Sequence, residues 1–254
     1  MSIIDQTADI VFQLNIVPWS NAADVWVNRF RQKTIFGSAS GGIHVLTYSN
    51  GIWTFAPFAF TDAAGGELAQ PYWAFEDDIT LQPSALNGVI TITASKALWT
   101  SAYVGLRVRY NAREIEITQR ISDKVARGIV INELSPSFRI AVDDTTEYRI
   151  GDAVVAANTN YQGLIVAING LTLDVVTQVF FEGPDVGEEL SGPGGSSKVT
   201  AKAAIAPLAS PVWDEPLMSD VRGWPRASGS AAGRMILLDF ESVPDIVAVS
   251  SSRS

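Results

Sequence analysis

The sequence predicts an all-β protein built from short antiparallel strands. Short β-branched runs separated by Gly, Asn, Asp and Pro recur along the chain, and the apolar spacing typical of amphipathic helices is nearly absent. Turn pairs such as Asn50-Gly51, which tolerate positive φ, stand between such runs. We expect a platform or blade-like β-domain that carries an inserted small β-barrel or sandwich.

The clearest local element is a hairpin in residues 41–55. Two β-prone runs flank Asn50-Gly51, and this pair favours the two-residue type I′ turn that joins antiparallel strands. Further strands are predicted at residues 89–93, 103–110, 113–120, 128–132 and 137–142. In residues 113–120, Ile115 and Ile117 alternate with charged residues, so one face of this strand is expected to be buried and the other solvated.

The second half of the chain predicts a small curved domain followed by a hairpin. From Tyr148 onward, short runs separated by Gly and Asn indicate a barrel or sandwich of about five strands. Residues 187–197 are rich in Gly and Ser, which predicts an exposed loop. Prolines at 207, 211 and 216 indicate an extended connector. A final hairpin is predicted at residues 224–240.

Three regions follow from this reading: an N-terminal β-region (1–73), an inserted barrel or sandwich region (74–206) and a C-terminal hairpin region (207–254). The third region is expected to pack back on the first. Its last strand is predicted at residues 246–250. We expect another subunit to complete this hairpin, because an unpaired terminal strand would expose a sheet edge.

Composition limits the classes of partner. The chain of 254 residues is 47% hydrophobic and 18% charged, as in folded proteins, and its formal net charge is −9. An acidic surface repels DNA, so specific DNA binding is not expected, although DNA could slide past such a surface. Solubility explains the charge equally well. No apolar run is long enough for a membrane span, the N-terminal residues lack a secretory-signal pattern, and there is no cysteine.

Catalytic patterns are not evident. His44 is the only histidine and has no His or Cys with which to share a site, so a structural role is expected. Phosphate-binding glycine motifs and a GxSxG motif are missing. The carboxylate runs 76–78, 143–144 and 188–189 are better explained by turn and loop chemistry than by a facing catalytic pair. We therefore predict no catalytic, cofactor-binding or metal-binding residues, and we do not expect an enzyme.

Seven tryptophans are many for this length, and they are scattered along the chain. Most are expected to anchor the core or a subunit interface, whereas some could form a sugar-stacking platform. They are Trp19, Trp26, Trp53, Trp73, Trp99, Trp213 and Trp224.

The C-terminal residues 213–254 resemble a segment of the tail nozzle (tail tubular protein B-like) and head-to-tail connector proteins of tailed bacteriophages. In that family a Gly-aromatic-Pro-Arg element starts a hairpin, an Arg opens the return strand, and a Pro-Asp turn leads to a strand ending in Ser-Arg-Ser. The matching positions here are Gly223, Trp224, Pro225, Arg226, Arg234, Pro244, Asp245, Ser252, Arg253 and Ser254. Upstream, TLQPS (80–84), ITITAS (90–95) and TSAYVGLRVR (100–109) also look like the family, the last resembling its strand that leads into an inserted β-domain.

The resemblance implies a structural subunit of the virion tail, assembled in the host cytoplasm. Such subunits form a homo-oligomeric ring, with six-fold symmetry favoured, next to the portal, adaptor and other tail proteins. DNA would pass through the lumen without specific binding, and no cofactor or membrane partner is expected. Fold or interface roles are assigned to Trp213, Gly223, Trp224, Pro225, Arg226, Arg234 and Arg253, with Arg226 and Arg253 paired to carboxylates.

Two alternatives stay open. One is a carbohydrate- or receptor-binding β-module of a tail fibre, which exposed coplanar tryptophans would favour. The other is a glycoside hydrolase on a β-scaffold, which needs two carboxylates facing each other across a cleft at roughly 5 to 10 Å.

Overall fold

The computed structural model describes residues 2–5, 10–13, 17–30, 33–60, 70–179 and 182–250. Apart from two 3-10 turns, Ala22–Asp24 and Ser101–Tyr103, the regular secondary structure of these residues is strand. All strand pairings recorded between them are antiparallel. The prediction of an all-β fold of short antiparallel strands is confirmed.

The chain divides into two compact units. Unit 1 comprises Met1–Pro71 together with Pro216–Ser254, and unit 2 comprises Tyr72–Glu215. The sequence-based boundaries followed residues 73 and 206, whereas unit 2 runs on to Glu215 because the chain pairs with its main sheet near residue 213, through Tyr110↔Trp213.

Unit 1 consists of hairpins from both ends of the chain, and its strands form three sheets. The sheets are β1-β2, β3-β4-β5-β6 and β20-β21-β22. The strands are β1 (Ser2–Asp5), β2 (Ile10–Gln13), β3 (Trp26–Phe30), β4 (Lys33–Ser38), β5 (Gly42–Ser49), β6 (Ile52–Pro57), β20 (Pro225–Ala231), β21 (Arg234–Phe240) and β22 (Ala248–Val249).

An aromatic cluster covers one face of the four-stranded sheet of unit 1. Trp19 and Phe36 are buried and stack with ring centroids 6.2 Å apart, and Phe55 meets Trp19 edge-on at 6.0 Å. Such aromatic pairs contribute packing energy beyond their burial. The hairpin β5–β6 turns at Asn50 (φ 51°) and Gly51 (φ 79°), which agrees with the type I′ turn that the sequence predicts.

Unit 2 contains a seven-stranded sheet whose two ends are linked by one segment of chain. Its order is β7-β19-β10-β11-β12-β9-β8. Residue Ser210 bridges to Leu81 of β8, and a few residues later the same segment enters β19 beside β10. The strands are β7 (Tyr72–Trp73), β8 (Leu81–Pro83), β9 (Val89–Ala94), β10 (Arg107–Tyr110), β11 (Arg113–Arg120), β12 (Val125–Val130) and β19 (Trp213–Pro216).

Buried apolar side chains line the inner face of this sheet. Ile115 and Ile117 of β11 are 0% and 1% exposed, whereas their charged neighbours face outward, as the alternation predicts. The other fully buried members include Leu81, Ile90, Ile92, Trp99, Tyr103, Val108, Tyr110 and Ala126.

The remaining strands of unit 2 close into a six-stranded barrel. The order around it is β13-β16-β15-β14-β17-β18, and β18 also pairs with β13. The sequence predicted about five strands beginning near residue 148; the barrel has six and begins at Ser137. Its strands are β13 (Ser137–Val142), β14 (Ala153–Ala156), β15 (Tyr161–Asn169), β16 (Thr172–Val179), β17 (Glu189–Ser191) and β18 (Ser196–Ile205).

The Gly- and Ser-rich residues 187–197 are exposed at several positions, as the sequence predicts, but they are not a loop throughout. They form β17 and the start of β18, and Leu190 is fully buried. Their glycines allow close packing: a Cβ at Gly194 would lie 2.3 Å from the carbonyl oxygen of Glu147. At Gly194 the missing side chain therefore meets a steric need, although the residue itself is exposed.

In the part of the chain that the structure describes, the last strand has a partner in its own chain on one side, and its completion by another subunit stays a prediction. β22 pairs with β21 of its own chain, with Leu237 opposite Ala248 and Ile236 opposite Val249. The Ser250 amide also donates to the Met235 carbonyl at 2.9 Å. The strand is shorter than the predicted 246–250, and its partner comes from the preceding hairpin.

Candidate interaction site

A tight turn sets the direction of the Gly-Trp-Pro-Arg element. Gly223 has φ +86°, and a Cβ there would lie 2.8 Å from the Cβ of Glu241, so both conformation and space require glycine. The amide of Gly223 donates to the Ser219 carbonyl at 2.8 Å, and the buried Ser219 hydroxyl accepts from the Val221 and Arg222 amides. The turn is therefore held by its own backbone and one serine.

The next two residues join the C-terminal hairpin to the N-terminal sheet of unit 1. The Trp26 indole N–H of β3 donates to the carbonyl of Pro225 at 2.8 Å. The Trp224 ring packs on Gly42, where a Cβ would come within 3.2 Å of it, and its indole N–H donates to Asp220 at 2.9 Å. Trp224 and Pro225 thus have roles inside the fold of unit 1.

The arginines of the predicted motif differ in their surroundings. Arg226 lies 3.6 Å from the carboxylate of Glu241, and both side chains are about half exposed, so the pair contributes at most about 1 kcal/mol. Arg234 opens β21, as the resemblance implies. Arg253 lies outside the described residues.

Trp213 lies apart from residues Gly223 to Arg226. It belongs to unit 2, where it pairs with Tyr110 and is 4% exposed. Its indole N–H donates to the carbonyl of Ile79 at 2.7 Å. The structure therefore brings together Gly223 to Arg226 and places Trp213 in a separate core.

Exposure separates the seven tryptophans, all of which the structure describes. Trp19, Trp99 and Trp213 are buried. Trp73 is exposed, at 44%, and the other three are half-buried. Trp53 is half-buried and meets Tyr48 with the rings tilted by 41°. A set of exposed coplanar tryptophans is not formed.

Two of the carboxylate runs stabilise turns and strand ends in the barrel. Asp143 accepts from the amide of Lys198 at 2.8 Å, and Asp144 accepts from the amide and hydroxyl of Thr146, both at 2.9 Å. These hydrogen bonds lower the pKa of Asp144. Near them an open cavity of about 650 Å³ is also lined by Glu189.

Glu188 is a buried carboxylate that fastens two loops of the barrel. It accepts hydrogen bonds from the amides of Asn158 (2.6 Å), Thr159 (2.9 Å) and Asp185 (3.0 Å), and from the Thr159 hydroxyl (3.0 Å). Burial by itself raises the pKa of Glu188, but these hydrogen bonds outweigh burial and hold the pKa below its ordinary value. The group is a structural anion.

A row of ionic and hydrogen-bonded side chains crosses the outer face of the seven-stranded sheet. Arg109 donates two hydrogen bonds to Asp214, at 2.7 and 2.6 Å, and its guanidinium lies 4.0 Å from the ring centre of Tyr72. Tyr72 donates to Glu114 at 3.3 Å, and burial together with that carboxylate raises the pKa of Tyr72 to about 12. These side chains bridge neighbouring strands of one sheet.

His44 is part of the aromatic packing of unit 1. Its ring stacks on Phe55 with centroids 5.1 Å apart, and burial lowers its pKa. The Nδ1 atom is buried and makes no hydrogen bond in the structure. This arrangement agrees with the structural role expected from the sequence.

Two residues at the contact between the C-terminal hairpin and the N-terminal sheet of unit 1 carry no clear signal in the sequence. From the sequence, Trp26 is expected only to be a general anchor, and no role is expected for Gly37, over which its ring lies. The short interval that contains Gly37, Gly41 and Gly42 is the signal that could have marked close packing against bulky side chains.

In the described ranges, no three His, Asp or Glu side chains are grouped so that they could hold a metal ion. The helices of that same part of the chain include none with the length and hydropathy of a membrane span.

Two sequence comparisons give no match. The sequence matches no model of a protein family and no curated protein. The resemblance to tail nozzle and connector proteins therefore stays a prediction that depends on the residues quoted for it.

Proposed function

We propose that this chain is a structural subunit of a phage tail nozzle, tail tube or head-to-tail connector, and that it is not an enzyme. In this proposal copies of the chain form a ring, with six-fold symmetry favoured, in the virion tail. Portal, adaptor and other tail proteins are its neighbours, and DNA passes through the lumen without specific binding.

The observation that best supports the proposal is the insertion architecture. Unit 1 is formed by two separate stretches of chain, and the residues of unit 2 come between these stretches in the sequence. The ends of these stretches meet, since the Leu217 amide donates to the Pro71 carbonyl at 2.8 Å. The barrel is in turn inserted between β12 and β19 of the seven-stranded sheet. An inserted β-domain on a hairpin platform is what the resemblance implies.

The Gly-Trp-Pro-Arg element adds a second argument. It starts β20 and contacts β3 and β5 through Trp26 and Gly42, so it organises the platform itself. A motif used in this way would suit a structural subunit.

The arrangement of tryptophans bears on the fibre alternative. A sugar-stacking platform needs exposed, coplanar rings, whereas the exposed ring of Trp73 stands alone and Trp53 is tilted against Tyr48. We therefore keep the ring-forming subunit as the proposed function.

The proposal is tested by measuring the mass of the purified chain by light scattering and then averaging electron images of the assembly. We expect a closed ring with a central hole that admits a DNA duplex. An elongated trimer would support a fibre instead. A chain that stays monomeric when highly concentrated would contradict self-assembly.

A further inference from the structure

Three Asn-Gly pairs lie on the surface of this chain. They are Asn50-Gly51, Asn87-Gly88 and Asn169-Gly170, and both residues of each pair are exposed. This dipeptide favours tight turns, because both residues tolerate positive φ. It is also chemically reactive, because the backbone nitrogen of glycine has no neighbouring side chain to shield it from the asparagine.

An Asn-Gly pair can lose ammonia without any enzyme, oxidant or metal. The backbone nitrogen of the glycine attacks Cγ of the asparagine, and the new N–Cγ bond closes a five-membered succinimide ring. The side-chain nitrogen leaves as ammonia and takes the proton of the glycine amide with it. Water then opens the ring at either carbonyl and gives aspartate or isoaspartate. The reaction in a folded chain therefore depends on whether the backbone lets this nitrogen turn to the same side of the Cα–C bond as Cβ.

The backbone at Asn50-Gly51 opposes ring closure. Asn50 has φ 51° in the turn that joins β5 to β6, with Ser49 paired to Ile52. In the left-handed conformation the next backbone nitrogen lies on the far side of the Cα–C bond from Cβ. Turning this peptide group over inside the hairpin would give a type II′ turn, whose first central position favours glycine. Asn50 is therefore held in an unreactive conformation.

Hydrogen bonds hold the peptide group of Asn169-Gly170. Asn169 is the last residue of β15 and pairs with Thr172 of β16. The Thr172 hydroxyl donates to the Asn169 carbonyl, and the Thr145 hydroxyl donates to the Gly170 carbonyl at 2.9 Å. Rotation of this peptide group would break the first of these bonds, so ring closure needs this end of the barrel to open.

The pair Asn87-Gly88 lies in the connection between β8 and β9 and is anchored only on its two sides. The Leu86 carbonyl accepts from the Leu134 amide at 2.9 Å, and the Gly88 carbonyl accepts from the Val130 amide at 3.0 Å. In the described part of the chain, the peptide group between these anchors makes no hydrogen bond, and neither does the Asn87 side chain. Gly88 has φ 72° and tolerates either sign of φ, so this peptide group can turn and bring its nitrogen toward Cβ.

We propose that Asn87 is the site at which the folded chain deamidates, whereas Asn50 and Asn169 are protected by their turns. The modification adds one negative charge to a chain that already has a formal net charge of −9. The isoaspartate product also lengthens the backbone beside the carbonyl of Gly88 that accepts from the Val130 amide. This inference does not depend on the proposed function.

The test compares the three pairs in the same sample of the full chain. The protein is kept at mildly alkaline pH, where a larger fraction of glycine amides is deprotonated, and portions are digested at acidic pH over time. Mass spectrometry follows the mass gain at each pair, and chromatography separates isoaspartate from aspartate. A second sample in concentrated guanidinium chloride gives the rate at each pair without the fold.

We expect similar rates at the three pairs in guanidinium chloride, because each asparagine is followed by glycine. In the folded chain we expect Asn87 to react at least about 10-fold faster than Asn50 and Asn169. A tenfold ratio corresponds to about 1.4 kcal/mol, which is within the cost of holding a residue in a sparsely populated conformation.

The variant Gly88→Ala tests the route. A Cβ at Gly88 meets nothing within 4 Å, but it shields the attacking nitrogen, so the rate at Asn87 should fall while circular dichroism shows a folded chain. An unchanged rate would mean direct hydrolysis of the side-chain amide and would overturn the inference. Equal rates at the three pairs in the folded chain, a faster reaction at Asn50 or Asn169, or a folded chain that reacts at none of them would also overturn it.

Discussion

Replacing Gly37 by alanine should specifically disrupt the contact between the sheets β3–β6 and β20–β22 of unit 1. A Cβ at Gly37 would lie 2.0 Å from Cζ2 and 2.3 Å from Cε2 of the Trp26 ring, distances at which the ring must move. Movement of the ring breaks the hydrogen bond from the Trp26 indole to the Pro225 carbonyl, which is 2.8 Å long. Backbone strain is not involved, because no positive φ is recorded for Gly37.

The expected cost follows from these two effects. Overpacking of a well-filled site costs about 1–3 kcal/mol. A lost hydrogen bond adds about 0.5–1.5 kcal/mol. We therefore expect the free energy of unfolding of unit 1 to fall by about 2–4 kcal/mol. Gly229→Ala in β20 is the matched control, because a Cβ there meets nothing within 4 Å, and its effect should stay within about 0.5 kcal/mol.

Urea unfolding followed by tryptophan fluorescence measures these changes, with a separate transition fitted for each unit because two units need not unfold together. A double-mutant cycle sharpens the result: on a Trp26→Leu background there is more room, so Gly37→Ala should cost much less. The reasoning is refuted if Gly37→Ala costs no more than Gly229→Ala, or costs the same on both backgrounds.

Three further predictions follow from local geometry. Ala112 (φ 63°) and Ala232 (φ 49°) occupy left-handed turn positions, so replacing either by glycine should raise the free energy of unfolding by about 1 kcal/mol in urea titrations. Burial lowers the pKa of His44, so the unfolded state takes up its proton at a higher pH than the folded state. The stability of unit 1 should therefore fall as the pH drops below the ordinary histidine pKa of 6.5. His44→Gln should remove that dependence in thermal melts measured over a pH series. Glu188→Gln should cost about 2 kcal/mol at neutral pH by weakening charge-assisted hydrogen bonds. Because the pKa of Glu188 is lowered in the folded state, this difference should vanish as the pH falls through that pKa, and an unchanged difference at low pH would contradict the assignment.

Strands and tight turns could be predicted from the sequence because their causes are local. Residues 113–120 alternate apolar and charged side chains, and the strand has those bounds with Ile115 and Ile117 buried. Asn50-Gly51 turns the chain because both residues tolerate positive φ. Such patterns depend only on neighbours in the chain.

The motif at residues 223–226 could be found in the sequence, but its role could not. Gly223 needs its positive φ for a local reason, whereas the contacts of Trp224 and Pro225 are with Gly42 and Trp26, nearly two hundred residues away in sequence. Trp213, the first residue of the segment that resembles the family, packs in a different unit. Distance along the chain was a poor guide to distance in space.

What the sequence by itself determined is the all-β class, most strands and their buried faces, since alternation and turn chemistry are written residue by residue. Only the tertiary structure decided which strands close the barrel, that β22 pairs within its own chain, and that Gly194 packs against Glu147. These outcomes depend on pairings between distant segments and on the space left by bulky partners. A local pattern specifies that a face must be buried, and the rest of the chain specifies what buries it.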